Sequence, residues 1–310
     1  MAEFLLNKGY EVHGLVRRSS NGNTERIDHL DAKSGTRFVL HYGDLTDTAS
    51  LIHAVEASKP DEVYNFASQS HVRISFEVPE STADITAMGA LRLLEAVRRM
   101  QPKAKFYQAS SSEMFGKVAE VPQNEKTPFH PRSPYGIAKL FAHWTAVNYR
   151  EAFGMFVVSG ILFNHESPRR AENFVTRKIT SGVARILAGK EKKLTLGNLD
   201  AKRDWGYAPE YVEAAWHMLQ QKKPRDYVIS TGEMHTVKEF VEEAFRLAGI
   251  RDWKKYVVFD PELYRPAEVD MLQGDSRKAA RELGWAPKVR FKELVKIMLN
   301  ADCERAGVVL

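Results

Sequence analysis

Two hydrophobic rhythms alternate along the first half of the chain. Short apolar runs at Tyr10–Arg17, Arg37–Tyr42, Glu62–Ala67, Lys105–Ala109 and Met155–Phe163 predict strands. Between them, apolar residues recur at helical spacing over Asp47–Ser58, Pro79–Met100 and Pro134–Phe153. Strand and helix in repeated alternation predict an α/β fold built on a doubly wound parallel sheet, with ligands gathered at the C-terminal ends of the strands. Beyond about Asn164 the rhythm loosens. A basic helix at Phe174–Ala188, a turn at Gly197-Asn198, an isolated strand at Asp226–Ser230 and helices at Val237–Ala248 and Phe291–Asp302 predict a smaller α+β domain. The expected division is 1–163 for the sheet domain and 164–310 for the second, with some of its segments returning to the main sheet.

The N-terminal pattern is unusual for such a fold. Residues Ala2 to Lys8 read as the back half of an amphipathic helix stopped by Gly9, and a strand follows that ends in Arg17 and Arg18. A Rossmann-like dinucleotide unit places a strand and a glycine-rich phosphate loop before that helix. Neither is present, so the expectation is a Rossmann-like sheet lacking its first strand and loop, on the order of 20 residues, with weakened cofactor binding.

Composition narrows the class. The 310 residues are 44% hydrophobic and 27% charged, which excludes a disordered chain and allows a sizeable core. A net charge of +5 is spread without a cationic tract, so an anionic small molecule fits better than a nucleic acid. No apolar run reaches the roughly 20 residues that span a bilayer. The single cysteine, Cys303, offers neither a disulfide framework nor a thiolate metal cluster; a cytoplasmic protein without a metal site is expected.

The strongest local signal is SPYGIAK. Ser133 caps a helix that Pro134 opens, and Tyr135 and Lys139, four apart, stack on one helix face. An adjacent ammonium favours the phenolate, which allows Tyr135 to take a hydroxyl proton while hydride leaves the same carbon. On spacing alone, a surface tyrosine and lysine fit as well. The segment FYQASSSEMFG ends a strand with Ser110, Ser111, Ser112 and Glu113 clustered where a parallel sheet presents its site. Some of these serines serve as caps in any reading. Glu113 adds a carboxylate able to move a proton from carbon to a leaving hydroxyl, which a simple dehydrogenase does not require.

The end of the first predicted strand speaks to cofactor choice. An acidic residue in that position of a dinucleotide fold bonds the NAD ribose. Here Arg17, Arg18, Ser19 and Ser20 stand instead, and arginine forks match a 2'-phosphate, so NADP is favoured over NAD; a solvated loop or a subunit contact is the other reading of the same arginines, and a subunit contact is compatible with NADP.

With these residues in place, the chain resembles the extended short-chain dehydrogenase/reductases, and within them the GDP-mannose 4,6-dehydratase family. The resemblance runs through LHYGDLTD, NFASQSHV, QASSSEMFGKV, FHPRSPYGIAK, GILFNHESPRR, NFVTRKI, LGNLDAKRDWGYA and YRPAEVD, in that order. It implies NADP as a bound hydride relay, GDP-mannose as substrate, and a homodimer or homotetramer. It further implies that Ser111, Glu113, Tyr135 and Lys139 are catalytic, and that Tyr135 and Lys139 also contact the cofactor. Asp44 and Leu45 match adenine contacts; Ala67, Gln69 and Ser70 line the pyrophosphate and nicotinamide ribose; His165 and Arg170 also match cofactor contacts. Asn164, Lys178, Arg203, Arg265 and Glu268 match substrate contacts. Asp44 fits a turn former equally well, and Asp200, Lys202, Arg203 and Asp204 fit a surface charge cluster. Two departures stand out: Ser111 replaces an expected threonine, and Ser81 an expected tyrosine at the cofactor. The rival functions are a related nucleotide-sugar reductase or epimerase, a dehydratase that also reduces its product, and a nucleotide-sugar-binding protein without catalysis.

Overall fold

The computed structural model describes residues 1–20, 22–30, 37–263 and 267–310. The chain folds into two compact units, the first from 1–114, 133–160 and 212–226, the second from 115–132, 161–211 and 227–310.

In the first unit, helix α1 (Ala2–Asn7) leads into β1 (Val12–Val16), which pairs in parallel with β2 (Phe38–Tyr42) in the register Val12 to Phe38 and Val16 to Tyr42. Helix α2 (Thr48–Ser58) starts at Asp47, whose side chain accepts the Ala49 amide at 3.1 Å. It leads to β3 (Glu62–Asn65) and the short helices α3 (Ile74–Glu77) and α4 (Pro79–Ala83). The helix expected over Pro79–Met100 is interrupted: a turn of π-helix at Asp84–Met88 joins α4 to α5 (Gly89–Met100). Such a turn fits one extra residue into an otherwise continuous helix. Thr86, in that turn, accepts the Gln69 amide at 3.2 Å.

Strand β4 (Lys105–Ser111) lies between β3 and β5 (Val157–Leu162), and pairs in parallel with β3. Helix α6 (Pro134–Phe153) connects β4 to β5 and stops at Gly154, which takes the left-handed backbone (φ 64) that a residue with a Cβ rarely adopts. Leu51, Leu94, Val97, Phe106 and Ala146 form the core between sheet and helices.

Among the described residues, the second unit holds strand β10 (Tyr227–Ile229) and three two-stranded pairs. β6 (Asn164–Glu166) runs parallel to β9 (Trp205–Tyr207), and β7 (Leu194–Leu196) parallel to β12 (Val257–Phe259). β8 (Lys202–Arg203) is antiparallel to β11 (His235–Thr236). Helices α7 (Val175–Leu187), α9 (Val237–Leu247) and α11 (Phe291–Ala306) pack around Ile179, Val183, Trp205, Phe240, Leu294 and Met298. Thr236 and Glu239 close a reciprocal capping box at the start of α9. Two helices escape the sequence pattern, α8 (Ala208–Leu219) and α10 (Arg277–Leu283). The first carries Pro209 in its opening turn, a position where the missing N–H costs nothing; the second is too short to show a period. Among the described residues, no helix is long and apolar enough to cross a membrane.

Candidate active site

Helix α6 begins where Ser133 accepts the Gly136 amide at 3.0 Å, and its first turns present Tyr135, Lys139 and His143 at intervals of four. All three are buried, and α6 packs on β4. The Lys139 Nζ donates to the Ala109 carbonyl at 2.9 Å and lies 5.8 Å from the centre of the Tyr135 ring. Burial pushes the Lys139 ammonium down to about 8, still charged at neutral pH. One turn further, His143 Nδ1 lies 3.0 Å from the Ser110 Oγ, and burial lowers the pKa of its imidazole. His143 extends the Tyr135/Lys139 stripe by one turn and was not among the residues the sequence points to.

Strand β4 supplies the facing groups. Its last residue, Ser111, accepts the Glu113 amide on Oγ at 3.2 Å, closing a tight turn over Ser112–Met114 that α6 also packs against. Ser111 and Glu113 are buried. A phenol, an ammonium, a hydroxyl and a carboxylate are thus carried by one helix start and one strand end. This set suits proton transfer at oxygen and at carbon.

The residues expected to hold a dinucleotide lie at the ends of β1, β2 and β3. Arg17, Arg18 and Ser19 are exposed just beyond β1, and the Arg18 guanidinium sits 4.7 Å from the ring centre of Tyr42 at the end of β2. Asp44 is a turn former: its Oδ1 accepts the Thr46 amide at 2.9 Å and the Thr46 hydroxyl at 2.8 Å. Leu45 is in the core, its Cβ against Gly89, where a methyl group would come within 2.6 Å of it. The Ala67 amide donates to Asn65 Oδ1 at 3.2 Å, and Asn65 in turn donates to Gln108 Oε1 at 2.9 Å, tying β3 to β4. Ser70 is exposed, whereas the Gln69 Oε1 is buried with no hydrogen-bond partner among the described residues. An orphaned acceptor beside the strand ends, with exposed guanidinium and hydroxyl donors beyond β1, fits a phosphorylated dinucleotide.

In the second unit, Asn164 and His165 lie on β6 opposite Trp205 and Gly206. His165 Nδ1 is 2.9 Å from the Phe163 carbonyl, so Nδ1 carries the proton and Nε2 the lone pair in the neutral ring, which stacks on Tyr211. Arg170 stacks on Phe174, 3.6 Å from its ring centre, with its Nε 3.3 Å from the buried Glu166. Lys178 lies in the first turn of α7, half-buried. Arg203 donates to the Val269 carbonyl at 2.7 Å and pairs with Glu268 at 3.4 Å, so two of the expected substrate contacts are brought together. Arg265 lies outside the described residues.

The surface charge cluster expected as an alternative at 200–204 is corrected for half its members. Asp200 and Lys202 are exposed, but Arg203 and Asp204 are buried. Asp204 accepts the Thr231 amide (2.8 Å), the Thr231 hydroxyl (2.6 Å), the Gly232 amide (2.9 Å) and the Gly274 amide (3.3 Å). Those partners make burial of the charge tolerable.

Comparison with known proteins relates the whole chain to a family. A family model described as GDP-mannose 4,6 dehydratase matches residues 1–298. The chain is 59% identical over 314 residues to GDP-mannose 4,6 dehydratase 2 of Arabidopsis thaliana, covering 99% of this chain and 84% of that protein. It is 54% identical over 326 residues to GDP-mannose 4,6 dehydratase of Homo sapiens, covering 98% and 88%. Among solved structures, RMD from Pseudomonas aeruginosa complexed with NADPH matches with a TM-score of 0.79 at 26% identity, covering 95% of this chain and 100% of that one. The family match takes in the Tyr135/Lys139 helix, the serine-glutamate turn and the segments around Asn164, Arg203 and Glu268, and the chain belongs to the GDP-mannose 4,6-dehydratase family.

Proposed function

We propose that this protein dehydrates GDP-mannose to GDP-4-keto-6-deoxymannose with NADP as a cofactor that is not consumed. The observation that carries the reading is Glu113, a buried carboxylate on the turn that Ser111 closes, directly after the strand to which Lys139 is bonded. Oxidation alone needs the tyrosine and lysine; elimination needs a second acid/base, and Glu113 supplies it.

In this reading Tyr135 takes the proton of the C4 hydroxyl and Ser111 hydrogen-bonds the same oxygen as it becomes a ketone. Lys139 favours the Tyr135 phenolate by its charge and holds the nicotinamide ribose. The C4 ketone acidifies the C5 hydrogen. Glu113 removes that proton, the C5–C6 double bond forms, and the C6 hydroxyl leaves as water carrying a proton from Glu113. NADP, when bound, would supply the acceptor for hydride from C4 and the donor back to C6; as C6 is reduced, the proton that Tyr135 took from the C4 hydroxyl goes to C5, so that only water is lost.

Arg17, Arg18 and Ser19 would hold the 2'-phosphate; Asp44 and Leu45 the adenine; Ala67, Gln69 and Ser70 the pyrophosphate and ribose; His165 and Arg170 complete the cofactor contacts. Lys178, Arg203 and Arg265 neutralise the GDP diphosphate, Glu268 bonds the ribose or guanine, and Asn164 contacts the substrate. The choice of NADP rests on the exposed arginine pair and on the NADPH named in the Pseudomonas aeruginosa structure.

A homo-oligomer completes the proposal. Helix α6 exposes Ile137, Phe141 and Trp144 on the side opposite Tyr135 and Lys139, and Val78 and Met88 are exposed on the segment that packs beside it. A second copy would cover this apolar face. The lone Cys303, buried and unpaired, accords with a reducing cytoplasm. Incubation with GDP-mannose and NADP, followed by mass spectrometry of the nucleotide sugar, tests the function: loss of one water is expected, and unchanged GDP-mannose from NADP-loaded protein overturns it.

A further inference from the structure

The segment after β6 carries Arg170, and its backbone is held from outside by two arginines that meet on one carboxylate. Arg177 of α7 donates through Nη1 to the carbonyls of Pro168 and Arg170, both at 2.8 Å, while its Nε lies 2.7 and 2.8 Å from the two Asp302 oxygens. Arg305, one turn after Asp302 on α11, donates to the same Pro168 carbonyl at 2.9 Å and to Asp302 Oδ1 at 2.8 Å. Thr180 adds a hydroxyl donor to Asp302 Oδ2 at 2.6 Å. Asp302 and Arg177 are both buried, and Arg177 lies 3.6 Å from Glu172 on its outer side.

Packing α7 against α11 does not require these charges. Apolar side chains of similar volume join two helices at least as well as a buried ion pair, which must recover a large desolvation cost. What apolar side chains cannot do is reach two loop carbonyls with directed donors. Asp302 fixes the orientation of both guanidinium groups, and their remaining N–H groups fix the peptide planes at Pro168 and Arg170. The Arg170 side chain leaves from the second of these planes toward Glu166 and Phe174.

We infer that Asp302, acting through Arg177 and Arg305, is a positioning residue that sets the backbone at 168–170 and thereby the affinity of the cofactor site that Arg170 and His165 serve. The inference rests on the proposed cofactor role of those two residues. It assigns the C-terminal helix a part in ligand binding, beyond its part in the core.

Arg305→Ala is the decisive variant, because its side chain is half-exposed and the buried Arg177–Asp302 pair stays intact. NADP affinity by calorimetry and amide hydrogen exchange over 165–171 are measured for wild type, Arg305→Ala and Asp302→Asn. Arg305→Ala is expected to weaken NADP binding roughly three- to tenfold, as loss of a charge-assisted hydrogen bond implies. It should also speed exchange over 168–171 while exchange in α9 and Tm stay near wild type; Arg305→Lys should recover part of the affinity. A purely structural role would lower Tm and leave affinity unchanged. Wild-type affinity and exchange in Arg305→Ala overturn the inference. A wild-type protein that binds no NADP overturns the proposed function, and this inference with it.

Discussion

The Lys139 ammonium is bonded to the carbonyl of Ala109, two residues before Ser111, so one hydrogen bond of 2.9 Å docks helix α6 on the strand that ends in the serine-glutamate turn. The lysine reaches that carbonyl from a buried position, and the fold bears the cost of holding a charge there.

That cost gives a stability prediction. Below pH 8 Lys139 is charged in both the folded and the unfolded chain, and the folded state carries the desolvation penalty. As pH rises from about 8 toward 10.5, the folded state sheds the proton first and gains stability. Lys139→Met abolishes dehydration yet is expected to stabilise the fold by about 2–3 kcal/mol at pH 7. The Ala109 carbonyl keeps Gln108 Nε2 as a donor at 3.1 Å, so little is lost there. Urea denaturation of both proteins between pH 7 and 10.5 should show the difference closing as pH rises.

Tyr135 and Glu113 are expected to fail at different steps. Tyr135→Phe lowers kcat roughly a hundredfold or more with KM for GDP-mannose little changed, because a proton acceptor is lost and no binding group. Glu113→Gln oxidises C4 but stalls before elimination, so a ketone that still carries its C6 hydroxyl accumulates. Mass spectrometry of quenched reactions distinguishes the two; wild-type dehydration by Glu113→Gln removes the glutamate from its role.

Cofactor discrimination is expected to reside in Arg18, held on Tyr42 at the end of β2. Arg18→Ala should weaken NADP binding roughly tenfold or more and leave NAD binding within about twofold, the loss of one charge-assisted phosphate contact. Parallel calorimetric titrations with the two dinucleotides check it; equal losses for both would place Arg18 elsewhere.

The exposed face of α6 should be an interface between copies. Trp144→Glu puts a charge on the apolar face beside Ile137 and Phe141, and is expected to lower the solution mass measured by light scattering. An unchanged mass would assign the assembly to another surface.

How far the sequence discloses this site follows from the range of the interactions involved. Helix α6 is predicted with both ends as observed, because its stops are local: a serine cap, a proline in the first turn, a glycine after the last. The clustering of Ser111 and Glu113 is legible for the same reason, since a parallel strand must end where the site lies. Groups whose environment is made by distant residues are not legible. Asp204 reads as a surface charge because its donors are 27 to 70 positions away, and Arg177 meets Asp302 across 125. His143 is visible only once Ser110 is seen to face it. Leu45 reads as a ligand contact by family resemblance; its side chain packs in the core, which leaves its backbone to meet an adenine.

In the proposed reaction one site removes hydride from C4 and returns it to C6 of the same sugar. GDP-mannose deuterated at C4, incubated with the NADP-loaded protein and examined by NMR, tests it most directly. The deuterium is expected in the C6 methyl group of a 4-keto product. Deuterium retained at C4, or a dehydrated product with none at C6, would contradict it.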